Sequence, residues 1–474
     1  MGDRLRQRSE IIRAVRRGTE IGNSHRWSRE RIERHSDQRL RALVAYARAN
    51  SPFHAERMRG LDLDAPDLLD RLPVMDKTSM MADLGRVLCD PRLRDIDLDA
   101  HLEGLTEDTV PLGRYRVMAS GGTSGTRGLF VYDQAGWIDV VGALASAPRW
   151  LGVPPRIPRP RMATIWASGP AHMTARLAAS FRTPVYRRLQ LAATMPVADM
   201  VNELNAFGPV WLSAYPSIAA LLADEQLAGR LNITPRVVLV SSEQCTPAMR
   251  ARILASWGVQ PIDTYATTET GATAVECEHH AGLHLFESQV ILEVVDADGR
   301  PVPDGQQGTK ILVTNLYNYV QPIIRCELTD MLTMAPGPCP CGRHTRRIES
   351  IDGRTDDIMH LPGRTGQTVP VHPNHFAEAI ESIAGIRAYQ VTEQTHGIDI
   401  TVVCSSDHRA AITHSIETGV RRRLTALGIA SMPLNITTAE AVIRPDVASG
   451  KFKLVRARPR EVTASAPAAA RPQR

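Results

Sequence analysis

From about residue 114 the chain repeats one pattern: a short apolar run ends in small polar residues and is followed by a helical stretch. Arg161 to Trp166, Val210 to Ser213 and Arg236 to Val240 are the clearest of these runs. Strands alternating with helices predict an α/β architecture with buried, largely parallel sheets. Ligands of such sheets bind beyond the carboxyl ends of the strands, so the polar residues after each run are candidates for function.

The rhythm is not the same throughout. The first 110 residues read as helices, interrupted at Asn50-Ser51-Pro52 and at Leu72-Pro73-Val74, where proline breaks the pattern. After about residue 285 apolar and polar residues alternate, in Leu285 to Val295 and Lys310 to Asn315, around the turn Asp296-Ala297-Asp298-Gly299. That alternation predicts a β-rich subdomain. Ala388 to Val403 reads as a hairpin turning at His396-Gly397, followed by a helix over about Asp407 to Leu427 and one more strand, a small α+β domain. A chain of 474 residues exceeds one ordinary core, so these segments divide it. The expected boundaries are a helical lead-in over 1–113, a core with its β-subdomain over 114–353, a small domain over 354–461, and a disordered tail of Ala, Pro and Arg over 462–474.

Charge excludes some classes of partner. With 56 basic and 51 acidic residues the net charge is +5, a mixed surface that does not call for nucleic acid but admits an anionic small molecule. No run approaches the roughly 20 apolar residues that span a bilayer. The Arg-rich start lacks the apolar core of a secretion signal, so a cytoplasmic protein without a membrane partner is expected. Cys89, Cys245, Cys277, Cys326, Cys339, Cys341 and Cys404 are odd in number and do not form a disulfide framework, which leaves reduced thiols and a metal.

The segment Ala119-Ser120-Gly121-Gly122-Thr123-Ser124-Gly125-Thr126-Arg127-Gly128 is dominated by hydroxyls and bare backbone. Glycines let the main chain approach phosphate oxygens closely, and Ser and Thr add donors without crowding them. It matches neither a Walker A sequence nor a Rossmann fingerprint. Three polar segments follow at predicted strand ends: Ser241-Ser242-Glu243, Tyr265-Ala266-Thr267-Thr268-Glu269, and Asp330 beyond Ile323-Ile324-Arg325. Gly353-Arg354-Thr355-Asp356-Asp357 and Gly450-Lys451 come later.

In this order these motifs resemble those of the adenylate-forming superfamily, and within it the phenylacetate:CoA ligase branch. Ser51-Pro52-Phe53, Leu72-Pro73-Val74-Met75-Asp76-Lys77, Pro322-Ile323-Ile324-Arg325 and Gly353 to Asp357 carry the second resemblance, which runs from about residue 50 to 455. It implies a large adenylate-forming N-terminal domain joined at a hinge, Asp356, to a small mobile C-terminal domain. It also implies ATP and Mg²⁺. Ser120, Gly121, Gly122, Thr123, Ser124, Gly125 and Thr126 would hold the β- and γ-phosphates, while Ser242, Glu243, Tyr265, Ala266 and Thr267 would shape the nucleotide pocket. Thr268 would touch the α-phosphate and Glu269 would bind Mg²⁺, a cation suited to carboxylate and phosphate oxygens. Asp330 would accept from the ribose hydroxyls with Arg354 nearby, and Lys451 would offset the charge that develops as a carboxylate attacks, with Lys453 the competing candidate.

The resemblance implies activation of a small aryl or short apolar acid as an acyl-adenylate and transfer to CoA, by a monomer or homodimer. Trp166, Ala167, Ser168, Gly169, Tyr215 and Pro216 follow strands on the ligand-binding edge and are candidates for the acid pocket, although Trp166 and Tyr215 read equally well as core aromatics. Where relatives carry Arg-Gly-Val-Asn-Val-Phe-Pro, this chain has Leu361 to Pro373, which motivates an amine as the alternative acceptor, and Arg127 stands where many have Lys. A silent nucleotide-binding homologue is the third reading, opposed by intact Glu269, Asp330 and Lys451.

Two turn-rich segments, Cys277 to His284 and Pro338-Cys339-Pro340-Cys341-Gly342, supply thiolates and imidazoles for a closed Cys₃His zinc site. Cys277, His284, Cys339 and Cys341 are the expected ligands, with His279 or His280 as alternatives to His284. Such a site is structural.

Overall fold

In the computed structural model, the residues described are 2–105, 109–120, 127–151, 157–167, 169–180, 185–381, 383–404, 408–439 and 452–458. The chain divides into two compact units, one of Met1–Thr355 with Arg444–Lys453 and the other of Asp356–Ile443 with Leu454–Arg474.

The first unit opens with the helices Gly2–Ser24 and Arg29–Asn50. Proline does at residue 52 what the sequence requires: it ends one helix and occupies the first turn of the next, Pro52–Arg57, whose N-cap Ser51 accepts from the His54 N–H at 3.4 Å. Asp76 likewise caps the helix Lys77–Ala82 by accepting from Ser79 N–H at 2.8 Å, which sets where Lys77 leaves the backbone. The first helix lies against Gln134–Trp150 so closely that a Cβ on Gly18 would meet the Gly142 carbonyl at 2.8 Å. Beside that contact Arg17 donates to Asp139 at 2.6 Å.

A nine-stranded sheet forms the body of this unit, in the order Asp330–Met334, Arg347–Arg354, Leu283–Leu285, Gly271–Glu276, Ile262–Thr267, Val237–Ser241, Trp211–Ala214, Arg161–Trp166, Arg187–Ala192. The five strands from Ile262–Thr267 to Arg187–Ala192 run parallel, and the others pair antiparallel. The expectation of a largely parallel sheet therefore holds for one half only. The turn after Thr267 is too short for a crossover, so the next strand must return antiparallel. The predicted strand Leu285 to Val295 is two strands, Leu283–Leu285 and Val290–Val295, in different sheets. Between them Phe286 accepts from both Gln289 and Val290 and turns the chain. Val290–Val295, Lys310–Asn315 and Cys326–Leu328 form the three-stranded antiparallel sheet of the β-rich region.

A separate ribbon pairs Arg116–Ala119 with Leu129–Tyr132 and brackets the Ser/Gly/Thr loop. Its second strand is held along the other edge by buried amides. Gln321 Oε1 accepts from Val131 N–H at 2.7 Å, Gln321 Nε2 donates to the Leu129 carbonyl at 3.0 Å, and Asn318 Nδ2 donates to the Val131 carbonyl at 3.0 Å.

The second unit has a four-stranded sheet in the order Leu434–Ala439, Gly397–Cys404, Ile386–Gln394, Val455–Arg456, with the helix Arg409–Ala426 buried through Ile412, Ile416, Val420 and Leu424. The hairpin pairs Gln394 with Gly397, so its turn is Thr395-His396, one residue earlier than the sequence suggests. Leu361 to Pro373 falls on a second hairpin, Met359–Pro362 with Thr368–Val371. The expected tail lies outside the described residues. Among the described residues no helix is long and apolar enough to cross a membrane.

Candidate functional site

Parallel pairing puts the carboxyl ends of Arg161–Trp166, Trp211–Ala214, Val237–Ser241 and Ile262–Thr267 on one edge of the sheet. Trp166, Tyr215, Ser242, Glu243 and the Thr267-Thr268-Glu269 turn thereby share that edge. Ser242 adopts a φ of 71°, a left-handed conformation rare for a residue with a side chain and the kind of strain found at functional turns.

Gly121 to Thr126 lie outside the described residues, but both ends of their loop are described. Ser120 N–H donates to the Gly128 carbonyl at 2.8 Å and Gly128 N–H donates to Ser120 Oγ at 2.9 Å, closing the loop at its base. Lys77 Nζ then donates to the same Ser120 Oγ at 2.9 Å and stands 3.5 Å from Glu269 Oε1. A Cβ on Gly128 would lie 2.5 Å from Lys77 Cε and 2.7 Å from Phe130 Cε2, so only glycine leaves the lysine its path. Lys77 is a candidate site residue that the motif reading left without a role. It was visible inside Leu72 to Lys77, but only the fold brings it to the loop and to Glu269. Arg127, by contrast, faces away to an exposed pair with Asp99 at 3.4 Å.

The turn carrying Thr268 and Glu269 is held through its carbonyls. Tyr132 Oη donates to Thr268 O at 3.0 Å, Asn315 Nδ2 to Glu269 O at 2.9 Å and Tyr317 Oη to Thr270 O at 2.8 Å. The hydroxyls of Thr267, Thr270 and Thr273 form a chain at 2.9 and 2.7 Å beneath it. Ala266, Thr267 and Thr268 remain half-buried while the Glu269 side chain is buried, so the turn offers a polar surface with a fixed carboxylate behind it. Tyr132 and Asn315 carried no motif signal, because their work is to satisfy a carbonyl from a distant part of the chain.

Asp330 and Arg354 face each other across neighbouring strands, with Arg354 Nε 3.4 Å from Asp330 Oδ1. Tyr265 is buried beside them. Burial first, and then the Asp330 charge, hold its hydroxyl well above the usual tyrosine value, so it stays neutral. Tyr265 therefore contributes shape rather than charge.

In the expected acid pocket, Trp166 and Tyr215 meet edge to face with ring centroids 5.0 Å apart. Tyr215 is fully buried and its hydroxyl accepts from Ala167 N–H at 3.3 Å, which makes it a floor beneath the half-buried Trp166. The Gly169 carbonyl accepts from His172 N–H at 3.0 Å; Ser168 lies outside the described residues. Lys451 also lies outside them, whereas its neighbour Phe452 donates its N–H to Glu243 Oε1 at 2.6 Å. Asp356 begins the second unit.

The side chains of Cys277, His284, Cys339 and Cys341 place their ligand atoms within 4.8 Å of one another. The Cys277 and Cys339 sulfurs are 3.8 Å apart, far too distant for a disulfide and close to the edge of about 3.8 Å that a tetrahedron with Zn–S bonds of about 2.3 Å requires. His284 Nε2 lies 3.3 Å from the Cys341 sulfur, and its Nδ1 is 2.8 Å from Thr345 Oγ1. That second contact fixes the ring and leaves Nε2 for a cation. His280 instead approaches Glu276 at 3.3 Å. The donor set suits Zn²⁺.

No family model matches the chain. The phenylacetate-coenzyme A ligase of Thermus thermophilus is 27% identical over 393 residues, covering 78% of this chain and 80% of that protein. The enzyme of the same name from Aromatoleum evansii is 31% identical over 172 residues, 34% of this chain and 38% of its own. Among solved structures, 2-hydroxyisobutyryl-CoA ligase in its postadenylation state superposes with a TM-score of 0.72 at 20% identity, over 92% of this chain and 91% of that one. The anthranilate CoA ligase in complex with anthranoyl-AMP gives 0.51 at 14% identity, over 71% and 64%. The chain is thus similar in sequence to phenylacetate-coenzyme A ligases and shares its fold with a solved acyl-CoA ligase, findings consistent with the adenylate-forming superfamily that the motif order resembles.

Proposed function

We propose that the protein is an AMP-forming acid:CoA ligase. It activates a small carboxylic acid with ATP as the acyl-adenylate, releases pyrophosphate, and passes the acyl group to CoA. The observation that carries this reading is the meeting of the base-clamped Ser120 to Gly128 loop, Lys77 and Glu269 at one point.

In the first half-reaction an oxygen of the acid attacks the α-phosphorus and the bond to the bridging oxygen breaks, its electron pair leaving with pyrophosphate. The loop, with Lys77 at its base, receives the β- and γ-phosphates, and Thr268 faces the α-phosphate. Glu269 is the ligand for Mg²⁺, which when bound offsets phosphate charge. Tyr265, Ala266 and Ser242 shape the adenine side, Asp330 accepts from the ribose hydroxyls with Arg354 beside it, and Lys451 offsets the charge of attack. In the second half-reaction the CoA thiolate adds to the acyl carbonyl and AMP departs, after movement at Asp356. The acid is aryl or short and apolar, because Trp166 and the Tyr215 floor offer no charge to a second carboxylate. Zn²⁺ held by Cys277, His284, Cys339 and Cys341 ties the strand Leu283–Leu285 to the loop before Arg347 and is structural.

An amine acceptor is the second reading, resting on Leu361 to Pro373, whose sequence departs from its relatives. Acid-dependent exchange of labelled pyrophosphate into ATP, run over aryl and short-chain acids without acceptor, tests adenylation, with Lys451→Ala as the control. Exchange with one acid class, lost in the control, supports the reading, and CoA and amines are then compared as acceptors. Absence of exchange with every acid, in protein that binds ATP, would sink it.

A further inference from the structure

Arg325 and Leu72 are 253 residues apart in the chain and joined in the fold. The Arg325 side chain is buried and divides its planar fork between two kinds of partner. Nε and Nη2 donate to the Glu293 carboxylate at 3.0 and 2.7 Å, while Nη1 donates to the carbonyls of Leu72 at 2.8 Å and Asp70 at 3.2 Å. The backbone holds the same segment. Arg325 O accepts from Met75 N–H at 3.0 Å and Met75 O accepts from Glu327 N–H at 2.8 Å, so Met75 pairs in parallel with Cys326 on the edge strand of the three-stranded sheet. Arg325 takes a φ of 46°, a left-handed conformation, with its N–H donating to Thr314 Oγ1 at 2.9 Å. Strain of that kind persists only where the surroundings over-determine it. Two residues beyond Met75 stands Lys77, and Asp76 between them caps the helix Lys77–Ala82 through Ser79 N–H, so little backbone freedom remains between the bracket and the lysine. The Lys77 stem runs against Gly128 and the side chain is only 17% exposed, which limits how far a change of rotamer can make good a shift of its backbone.

We propose that Arg325, braced by Glu293, is a positioning residue for Lys77: it fixes residues 72–77 against the three-stranded sheet and thereby sets the reach of the Lys77 ammonium to Ser120 Oγ at 2.9 Å and Glu269 Oε1 at 3.5 Å. This rests on the adenylate-forming reading above and gives residues 322–325 a task within it. Arginine suits the task because its fork serves a carboxylate and two carbonyls at once, whereas the compact head of a lysine cannot span Glu293 and Leu72 together.

Pyrophosphate exchange by the full chain, measured for Arg325→Lys, Lys77→Met and the double variant below the thermal midpoint of each, tests it. Arg325→Lys should lower kcat/KM for ATP by about tenfold or more, the scale of a misplacement of about 1 Å, and by no more than Lys77→Met does. In the Lys77→Met background the same substitution should cost less than about threefold, since no ammonium is left to position. Transfer to CoA from supplied acyl-adenylate, which involves no pyrophosphate, should fall several-fold less than exchange. A bond that served only the stability of the fold would give losses that multiply in the double variant, or an equal fall in both half-reactions, and either result overturns the proposal. Exchange by Arg325→Lys within about threefold of the parent overturns it too. Should Arg325→Lys not fold, Glu293→Gln, which weakens the brace and leaves Arg325 in place, decides by the same comparison with and without Lys77→Met: a loss in the parent background that disappears in the other supports the role, and equal losses in both reject it. Parent protein that exchanges with no acid would remove the ligase reading, and this role with it.

Discussion

Removing the Lys77 ammonium should disable the phosphate loop without touching any residue in it. Lys77 Nζ donates to Ser120 Oγ at 2.9 Å, and the same oxygen receives Gly128 N–H, so one hydroxyl ties the lysine to the base of the loop. The Lys77 side chain is 17% exposed and Glu269, 3.5 Å away, is 7% exposed, so water cannot readily replace either interaction. A charged hydrogen bond contributes about 1.5–3 kcal/mol, which converts to a loss of about 10- to 150-fold. Lys77→Met, which keeps most of the stem, should therefore lower kcat/KM for ATP in pyrophosphate exchange by that factor. Lys77→Arg should not restore it, because a planar guanidinium presents its donors in a fixed fork farther from the backbone, whereas Ser120 Oγ at 2.9 Å and Glu269 Oε1 at 3.5 Å are met by a compact ammonium. Ser120→Ala should lose a similar factor, and the double variant should be far better than the product of the two, since both changes break the same bond. Exchange by Lys77→Met within threefold of the parent, or strictly multiplicative losses, would refute the reasoning.

Further outcomes follow from other parts of the molecule. Purified protein should carry zinc, and Thr345→Val should weaken its retention against a chelator by roughly 10-fold, because the His284 ring loses the partner of its Nδ1; unchanged retention would remove Thr345 from that role. Gln321→Leu leaves Val131 N–H and the Leu129 carbonyl without partners in a dry setting, at about 1–3 kcal/mol each, so amide exchange at Val131 should accelerate about tenfold or more. Asp263 is pushed up to about 7 by burial first and then by the Glu276 charge, against Arg250. The folded state then holds a proton that the unfolded chain, near 3.9, gives up. This contribution to stability is complete below about pH 3.9 and is lost as pH rises through about 7. Asp263→Asn should flatten the fall in thermal midpoint between pH 5 and 8, and an identical slope in both proteins would contradict it.

Periodicity and motif order carried much of this protein. Runs such as Arg161–Trp166 and Lys310–Asn315 announce themselves because a strand covered on both faces reads as a short apolar block, and proline at residue 52 cannot continue a helix but can begin one. The polar residues after those runs were legible as candidates for the same local reason. Legibility failed where the information is not local. Nothing in the chain near Tyr132, Asn315, Asn318 or Gln321 says which carbonyl each amide or hydroxyl will meet, since their partners lie some 46 to 192 residues away.

The sequence by itself therefore determined the alternation of strands and helices, the places where polar residues leave strand ends, and the order of motifs that resembles the adenylate-forming enzymes. Tertiary structure decided the return of the chain after Thr267 into antiparallel strands, the choice of His284 over His280 beside three cysteines, and the approach of Lys77 to Ser120 and Glu269. The division has a physical cause. Backbone preference and hydrophobic pattern act over a few residues, whereas buried charges and hydrogen-bonding groups must be satisfied by whatever the whole fold brings to them.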